Sequence, residues 1–269
     1  MREIIHFAHA NSFPASVYRK FLATLAEHYQ IGYLDAVGHD PAYPVTDGWP
    51  YLVDECIRHI EQYGRPVIGV GHSLGGVLLL YAAMRRPELF RALVILDSPL
   101  FGPLRSRTVW LAKRLGFIQK ITPGGNPLRR RDSWPSVQRV CEYFARKPAF
   151  ARFDPDCLAD YAEHGTVPDA QGGRRLKFRP LVEYQVFEGL PHDLPRYRGR
   201  LTVPTLLVVG QQSGVLKPAD LAFARRHFGM QITQQAGSHL FPLEHPVETA
   251  QRIMERLPAL LSPPAAAGP

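Results

Sequence analysis

The chain has 269 residues, of which 45% are hydrophobic, and a formal net charge of +8. This length and apolar content suffice for a sizeable core, built as one large domain or as one domain with an insertion. No apolar run approaches the ~20 residues of a membrane span, and three cysteines in no C-x-x-C pair argue against a disulfide framework or a zinc site.

Short apolar runs alternate with helical patterns along the first hundred residues. This alternation predicts a parallel sheet covered by helices on both faces. The predicted strands are residues 3–8, 31–35, 66–72 and 91–97. The helix after the first strand has apolar residues four apart, including Phe21 and Leu25, and the helix after the third strand is apolar throughout and ends before Pro87.

The alternation stops between residues 102 and 200, which are rich in arginine, proline and aromatic residues and contain helical fragments but no strong strand. The strand pattern resumes at 203–210 and is followed by a helix from about Pro218, a strand at 230–237 and a final helix. We therefore predict an α/β core of residues 1–101 and 201–262, a helical insertion of residues 102–200 and a disordered tail of residues 263–269.

The basic excess belongs entirely to the insertion, which has 19 Lys/Arg and 10 Asp/Glu, whereas the remainder has 13 and 14. One interpretation is attraction of anionic substrates, and the other is a solvated, arginine-rich surface. The run Arg129-Arg130-Arg131 lies in a Pro- and Gly-rich stretch and matches no recognition motif, so we expect no nucleic-acid partner.

Residues 69–76, Gly-Val-Gly-His-Ser-Leu-Gly-Gly, lie between a predicted strand and a predicted helix. Gly71-x-Ser73-x-Gly75 fits a nucleophile elbow, a tight turn that presents a serine and needs small residues two positions before and after it. The same glycines, with Asp97 ending the next strand, could also bind a dinucleotide. That alternative places the phosphate loop after two complete βα units, whereas it normally follows the first strand.

A serine needs a base to act as a nucleophile, and the base is expected in a loop after the last strand. His239 lies in such a loop, just after the strand-like residues 230–237. An ordinary surface histidine is the alternative. His245, which precedes Pro246 at the start of a helix, is interpreted as structural.

Four motifs resemble those of the α/β-hydrolase superfamily over almost the whole chain. They are FAHANSFPAS after the first strand, GHSLGG at the elbow, LVILDSPL, and GSHLFPLEHP. The resemblance implies a mostly parallel sheet with a helical cap inserted after the strand that ends at Asp97. Because the chain begins at the strand before the oxyanion loop, the sheet should have about six strands.

The resemblance also implies an oxyanion hole. The family motif His-Gly-x corresponds here to His9-Ala10-Asn11, so the backbone amide of Asn11 is one expected donor and the amide of Leu74 is the other. Alanine replaces the usual glycine. We expect His9 to brace this loop by hydrogen bonds.

The triad acid departs from the common pattern, because Ser213 stands where most members have a carboxylate. A minority of members place the acid after the preceding strand, which here offers Asp97 to orient His239. Asp220 is the fallback, although it lies at a helix start, and Glu244 and Asp193 are weaker candidates. Asp97 could instead bind loop amides in a purely structural role.

The sequence thus predicts a serine hydrolase that cleaves a carboxylic ester of a small molecule through an acyl-enzyme. A thioester or a lactone is the next substrate class. We expect no cofactor, metal or membrane partner and a cytoplasmic location, and the oligomeric state is open. The alternatives are carbon–carbon bond hydrolysis or perhydrolysis on the same triad, a non-catalytic binding protein and a nicotinamide oxidoreductase. Candidate aromatic residues for the acyl pocket are Phe101, Trp110, Phe117, Trp134, Tyr143 and Phe144, although aromatic residues at such positions more often form the core of the cap.

Overall fold

The computed structural model describes residues 2–121, 127–170 and 172–262. Its first part alternates strands and helices, as the sequence predicts. The elements are β1 (Ile4–Ala8), α1 (Arg19–Ala26), β2 (Gln30–Tyr33), α2 (Pro50–Glu61), β3 (Val67–His72), α3 (Leu74–Arg85) and β4 (Phe90–Leu96). The helix α3 is buried on nearly every side, which is why its sequence is apolar without a polar face.

The segment 102–200 is mainly helical, but it also contains three short strands that the sequence did not predict. Its elements are α4 (Pro103–Arg114), α5 (Ile118–Ile121), β5 (Ser133–Trp134), α6 (Val137–Ala145), α7 (Pro155–His164), β6 (Thr166–Pro168), β7 (Arg174–Leu176) and α8 (Pro180–Glu188). The three strands pair antiparallel in the order β5-β7-β6. Strands of two or three residues are too short to show an alternating pattern of apolar and polar residues. They can be recognised only from the strands with which they pair.

The last part of the chain returns to the alternating pattern. Its elements are β8 (Thr205–Gly210), α9 (Pro218–Phe228), β9 (Gln231–Gln235), α10 (Phe241–Glu244) and α11 (Pro246–Leu261). Short 3₁₀ helices lie at Ala15–Tyr18, Pro87–Leu89, Pro127–Arg129, Pro148–Phe150 and Leu194–Tyr197. The residues 263–269, expected to form a disordered tail, lie outside the described part of the chain.

The central sheet has six strands, all parallel, in the order β2-β1-β3-β4-β8-β9. This confirms the predicted parallel sheet of about six strands. Strand β3 lies in the interior between β1 and β4, so the loop after it opens at the middle of the carboxyl edge of the sheet. Ligand sites of open α/β sheets lie at this edge.

Two apolar layers cover the sheet. Helices α2, α3 and α9 pack on one face through residues such as Leu52, Leu79 and Phe228. Helices α1 and α11 pack on the other face through residues such as Phe21 and Leu257. The segment 102–200 contributes buried side chains to both layers. Among the described residues, every helix is too short or too polar to cross a bilayer.

The strand β1 carries a buried histidine, His6, whose Nδ1 lies 3.1 Å from the hydroxyl of Tyr63. Burial, with the neighbouring His59 as a smaller cause, lowers the pKa of His6 to about 3. The unfolded chain therefore binds one more proton than the native state between about pH 6.5 and pH 3. Stability from the neutral ring is present above pH 6.5 and is lost as the pH falls towards 3.

We expect His6 alone to lower the free energy of unfolding by about 2 kcal/mol when the pH falls from 7 to 5. Chemical denaturation at both pH values would measure it, and His6→Gln should lose less stability over that interval than the wild type. His28→Gln, which changes an exposed histidine, is the matched control and should follow the wild type. Equal losses in all three proteins would contradict the prediction.

Candidate active site

Ser73 lies in the sharp turn between β3 and α3, with a backbone φ of +53°. This conformation is unfavourable for a residue with a side chain. The backbone amide of Ser73 donates to the carbonyl of Leu96 (2.9 Å), which ties the turn to β4. The hydroxyl therefore stands at the carboxyl edge of the sheet on a rigid support.

The flanking glycines are required by close packing. A β-carbon on Gly75 would lie 2.1 Å from the carbonyl oxygen of Ala8, and one on Gly71 would lie 2.6 Å from the amide nitrogen of Gly76. Any side chain at these positions would push the helix off the sheet.

Ser73, His239 and Asp97 form one chain of hydrogen bonds. His239 Nε2 lies 3.1 Å from Ser73 Oγ, and His239 Nδ1 lies 2.7 Å from Asp97 Oδ2. Since a carboxylate accepts, Nδ1 carries the proton and Nε2 of the neutral ring is free to accept from the serine. Three residues separated by up to 166 positions thus meet at one point.

Asp97 is completely buried at the end of β4, with a φ of +43°. Besides the His239 ring, its carboxylate accepts from the amide of Gly210 (3.2 Å) and from the hydroxyl of Ser213 (2.5 Å). These donors compensate the loss of hydration of the buried carboxylate. Ser213, where a carboxylate was expected by resemblance, donates to the carboxylate that stands in its place.

The other carboxylates considered from the sequence are bound to other groups. Asp220 accepts from the amide of Gly102 and from the Arg105 guanidinium. Glu244 accepts from the amide of Ser238 (2.7 Å), and Asp193 accepts from the hydroxyl of Tyr81 (2.6 Å). Of the four candidates, the structure places Asp97 alone within hydrogen-bond distance of His239, among the residues described.

The two expected oxyanion donors, Asn11 and Leu74, line the same cavity as Ser73. Leu74 begins α3, so its amide belongs to the N-terminal turn, where N–H groups lack helical acceptors. The side-chain amide of Asn11 donates to the carbonyl of Glu183 in α8 (3.3 Å). This contact joins the oxyanion loop to the segment 102–200.

His9 makes the bracing contacts expected of it. Its Nδ1 donates to the carbonyl of Ala10 (2.8 Å), its Nε2 accepts from the amide of Val37 (3.0 Å), and its own carbonyl accepts from Gly75. Burial lowers its pKa to about 4. The neutral ring therefore holds the oxyanion loop against both the elbow and the loop after β2.

Sequence reasoning missed a second chain of contacts, through His72 and Tyr18. His72 is fully buried, and its Nε2 lies 2.9 Å from the carbonyl of His239. Because a carbonyl only accepts, Nε2–H donates, and Nδ1 accepts from the hydroxyl of Tyr18 (2.8 Å). Burial and the neighbouring His239 lower the pKa of His72 well below its usual value. No sequence signal marks Tyr18 for this contact.

A cavity of about 460 Å³ opens over Ser73. The described residues that line it include Asn11, Trp49, Leu74, Pro99, Phe101, Arg105, Lys120, Val186, Phe187, Leu190, Val215 and His239. Residues from α4, α5 and α8 of the segment 102–200 form much of this wall. The cavity is therefore mostly apolar, and Ser73 is part of its lining.

Of the aromatic residues expected around the acyl pocket, Phe101 alone is among the described residues of this lining. Trp134, Tyr143 and Phe144 pack on one another within the segment 102–200. Phe117 packs against the small apolar cluster around Phe101, and Trp110 is half exposed. These five residues are therefore not among the described lining residues, and the mutual packing of Trp134, Tyr143 and Phe144 fits the alternative role of such aromatic side chains, an internal core.

Known proteins and solved structures are similar to this chain over most of its length. Residues 7–252 match the family model described as the alpha/beta hydrolase family. The chain is 23% identical over 275 residues to a pimeloyl-(acyl-carrier protein) methyl ester esterase of Xanthomonas campestris, covering 94% of each chain.

Solved structures of the same fold include an E-2-(acetamidomethylene)succinate hydrolase, with a TM-score of 0.76 and 22% identity over 96% of this chain and 91% of that one. Another is a thioesterase domain from the curacin biosynthetic pathway, with a TM-score of 0.72 and 19% identity over 94% of this chain and 91% of that one.

Proposed function

The chain belongs to the alpha/beta hydrolase family, and on that premise we propose that it is a serine hydrolase that cleaves a carboxylic ester of a small molecule through an acyl-enzyme. The observation that carries this proposal is the hydrogen-bonded chain Ser73–His239–Asp97 facing an apolar cavity. The relative named as a methyl ester esterase supports ester chemistry.

In the first half of the reaction, Ser73 Oγ attacks the ester carbonyl carbon while its proton moves to His239 Nε2. Asp97 stabilises the imidazolium through Nδ1–H. The amides of Asn11 and Leu74 donate to the oxygen on which negative charge develops. When the tetrahedral intermediate collapses, the bond to the leaving oxygen breaks and His239 gives that oxygen its proton, which leaves an acylated serine and a free alcohol.

In the second half, a water molecule loses a proton to His239 Nε2 and attacks the acyl carbon. The bond between that carbon and Ser73 Oγ then breaks, the proton returns from His239 to the serine, and the carboxylic acid leaves. The net reaction consumes one ester and one water and needs no oxidant or reductant. A thioester or a lactone would follow the same steps.

The segment 102–200 acts in this proposal as a cap over the nucleophile, on a core formed by residues 1–101 and 201–262. Arg105, Lys120, Val186, Phe187 and Leu190 of the cap line the cavity, so the cap sets the shape of the acyl pocket. Asp220 of the core bonds to Gly102 and Arg105 at the first residues of the cap. This contact fixes where the cap leaves the sheet.

Turnover of p-nitrophenyl acetate and butyrate tests the proposal. We expect hydrolysis that stops when a fluorophosphonate labels Ser73, and an acid product that carries one ¹⁸O when the reaction is run in H₂¹⁸O. Formation of a peroxyacid from added peroxide at a faster rate would favour perhydrolysis. A folded protein that neither reacts with fluorophosphonate nor hydrolyses these esters would favour a binding protein on this scaffold.

The His72 contact predicts a positioning effect. Replacing His72 with phenylalanine leaves the His239 carbonyl and the Tyr18 hydroxyl without partners, and we expect kcat to fall about 10- to 100-fold with KM within twofold. His72→Gln keeps a donor for the carbonyl and should recover most of the loss. Stopped-flow kinetics would measure kcat and KM of the two variants, and thermal unfolding would check that both are folded. An equal loss of kcat in the two variants would contradict a positioning role.

A further inference from the structure

Among its described lining residues, the cavity over Ser73 has cationic side chains and no acidic one. The two basic residues of this lining are Arg105 and Lys120. A cation in such a wall can attract an anionic ligand if no acid of the protein already pairs with it.

Arg105 is already balanced. Its Nη1 lies 2.7 Å from Asp220 Oδ2 and donates to the carbonyl of Val215 (2.6 Å), and its guanidinium packs over the ring of Phe101. The carboxylate of Asp220 is almost fully buried. Arg105 therefore supports the wall of the cavity and adds no uncompensated charge to it.

Lys120 differs from Arg105, because its ammonium has no partner within the described ranges. Its helix, α5, packs against α4 and α8. Helix α4 has no acidic residue. The two acids of α8 are already bonded, since Glu183 pairs with Arg130 and Glu188 accepts from Gln119 (2.7 Å). Nearby Asp47 pairs with Lys113.

The backbone that carries Lys120 is nevertheless fixed. Ile118, two residues before it, is 2% exposed and packs in the cluster of Phe101, Val109 and Ala112. The amide of Lys120 donates to the carbonyl of Phe117 (2.9 Å). An anchored helix thus holds Lys120 in the lining of the cavity, and its exposed side chain is able to contact a ligand.

We propose that Lys120 forms an anion subsite, so that the preferred ester carries a carboxylate or a similar small anion away from the scissile carbonyl. This inference rests on the proposed ester hydrolysis at Ser73. The apolar wall formed by Phe101, Val186 and Leu190 would contact the chain between the two ends. The rest of the basic excess of the cap is not required for the subsite.

Two esters of equal shape test the subsite, namely monomethyl adipate and its neutral carboxamide analogue, methyl adipamate. We expect the wild type to favour the carboxylate by about fivefold in kcat/KM, the upper end of what one exposed ion pair supplies. Lys120→Met should remove the preference, Lys120→Arg should keep it, and Lys120→Glu should reverse it. Salt at 0.5 M should weaken the wild-type preference by screening.

The matched control is Arg107→Met, which removes an exposed cation of α4 that does not line the cavity. It should leave the preference unchanged. Equal loss in Arg107→Met and Lys120→Met would mean attraction by the whole basic surface and would overturn the subsite. Equal kcat/KM for the two esters in the wild type would also overturn it, while leaving ester hydrolysis intact.

A binding measurement keeps the subsite separate from the chemistry. Titration calorimetry of Ser73→Ala with both intact esters should give a Kd about fivefold lower for the carboxylate, and Ser73→Ala/Lys120→Met should bind both equally. If the wild type hydrolyses neither these two esters nor the p-nitrophenyl esters, the proposed function fails, and the two Kd values still decide the subsite. Equal Kd values in Ser73→Ala would refute it.

Discussion

Replacing Ser73 with alanine is expected to lower kcat for p-nitrophenyl butyrate on the order of 10⁶-fold, the size seen when the nucleophile of such a triad is removed. Ser73 Oγ is the atom that faces His239 Nε2 at 3.1 Å, and an alanine leaves nothing to acylate. Labelling by a fluorophosphonate should disappear together with turnover. Steady-state kinetics and intact-mass spectrometry measure the two effects.

The control for this variant is Ser133→Ala, an exposed serine of the cap, which should behave as the wild type. Ser73 has an unfavourable positive φ, and alanine keeps that φ, so unfolding temperature should change little. Turnover by Ser73→Ala within tenfold of the wild type would refute the assignment of Ser73 as nucleophile.

Asparagine at position 97 is expected to reduce kcat by about 10³- to 10⁴-fold, because the amide no longer holds His239 in the tautomer that accepts the serine proton. The carboxylate has the same shape as the amide, so the fold should persist, although the donors of Gly210 and Ser213 now face a weaker acceptor. Steady-state kinetics with circular dichroism measures the loss and checks the fold.

Asp220→Asn separates the two carboxylates that the sequence offered. It disturbs the contacts to Gly102 and Arg105 at the start of the cap, so we expect lower stability and less than a tenfold loss of kcat. A larger kcat loss in Asp220→Asn than in Asp97→Asn would exchange the roles assigned to the two residues.

The contact between Ser213 and Asp97 allows a relocation experiment. Ser213 Oγ lies 2.5 Å from the same Asp97 oxygen that binds His239, so a carboxylate on residue 213 can approach His239 Nδ1. In the Asp97→Ser background, adding Ser213→Asp should recover kcat about 10- to 100-fold. No recovery of kcat in a folded double variant would mean that a carboxylate supports His239 only from position 97, after β4.

The sheet and the turn at Ser73 were predicted from patterns of residues close together in the sequence. The strands β1, β3 and β8 are buried at every residue, and β4 is buried at every residue except Arg91, so each apolar run is recognisable without its neighbours. The glycines around Ser73 follow from the tight turn itself, which is why residues 71–76 could be interpreted from a few consecutive positions.

Contacts between residues that lie far apart in the chain could be identified only from the tertiary structure. The sequence favoured Asp97 and left Asp220, Glu244 and Asp193 as alternatives, because no local pattern specifies which carboxylate lies beside His239. The hydrogen bonds of Asp97 to His239 and to Ser213 distinguish it from the other three carboxylates. The short cap strands and the partner of His72 were likewise undefined until the chain was folded.

The sequence by itself therefore determined the parallel sheet, the family resemblance and the expected positions of Ser73 and His239, because each depends on residues close together in the chain. The tertiary structure decided which carboxylate meets His239, which side chains line the cavity and which cations are already paired. These are contacts between residues about 50 to 170 positions apart, and no local pattern specifies which of several similar side chains will meet.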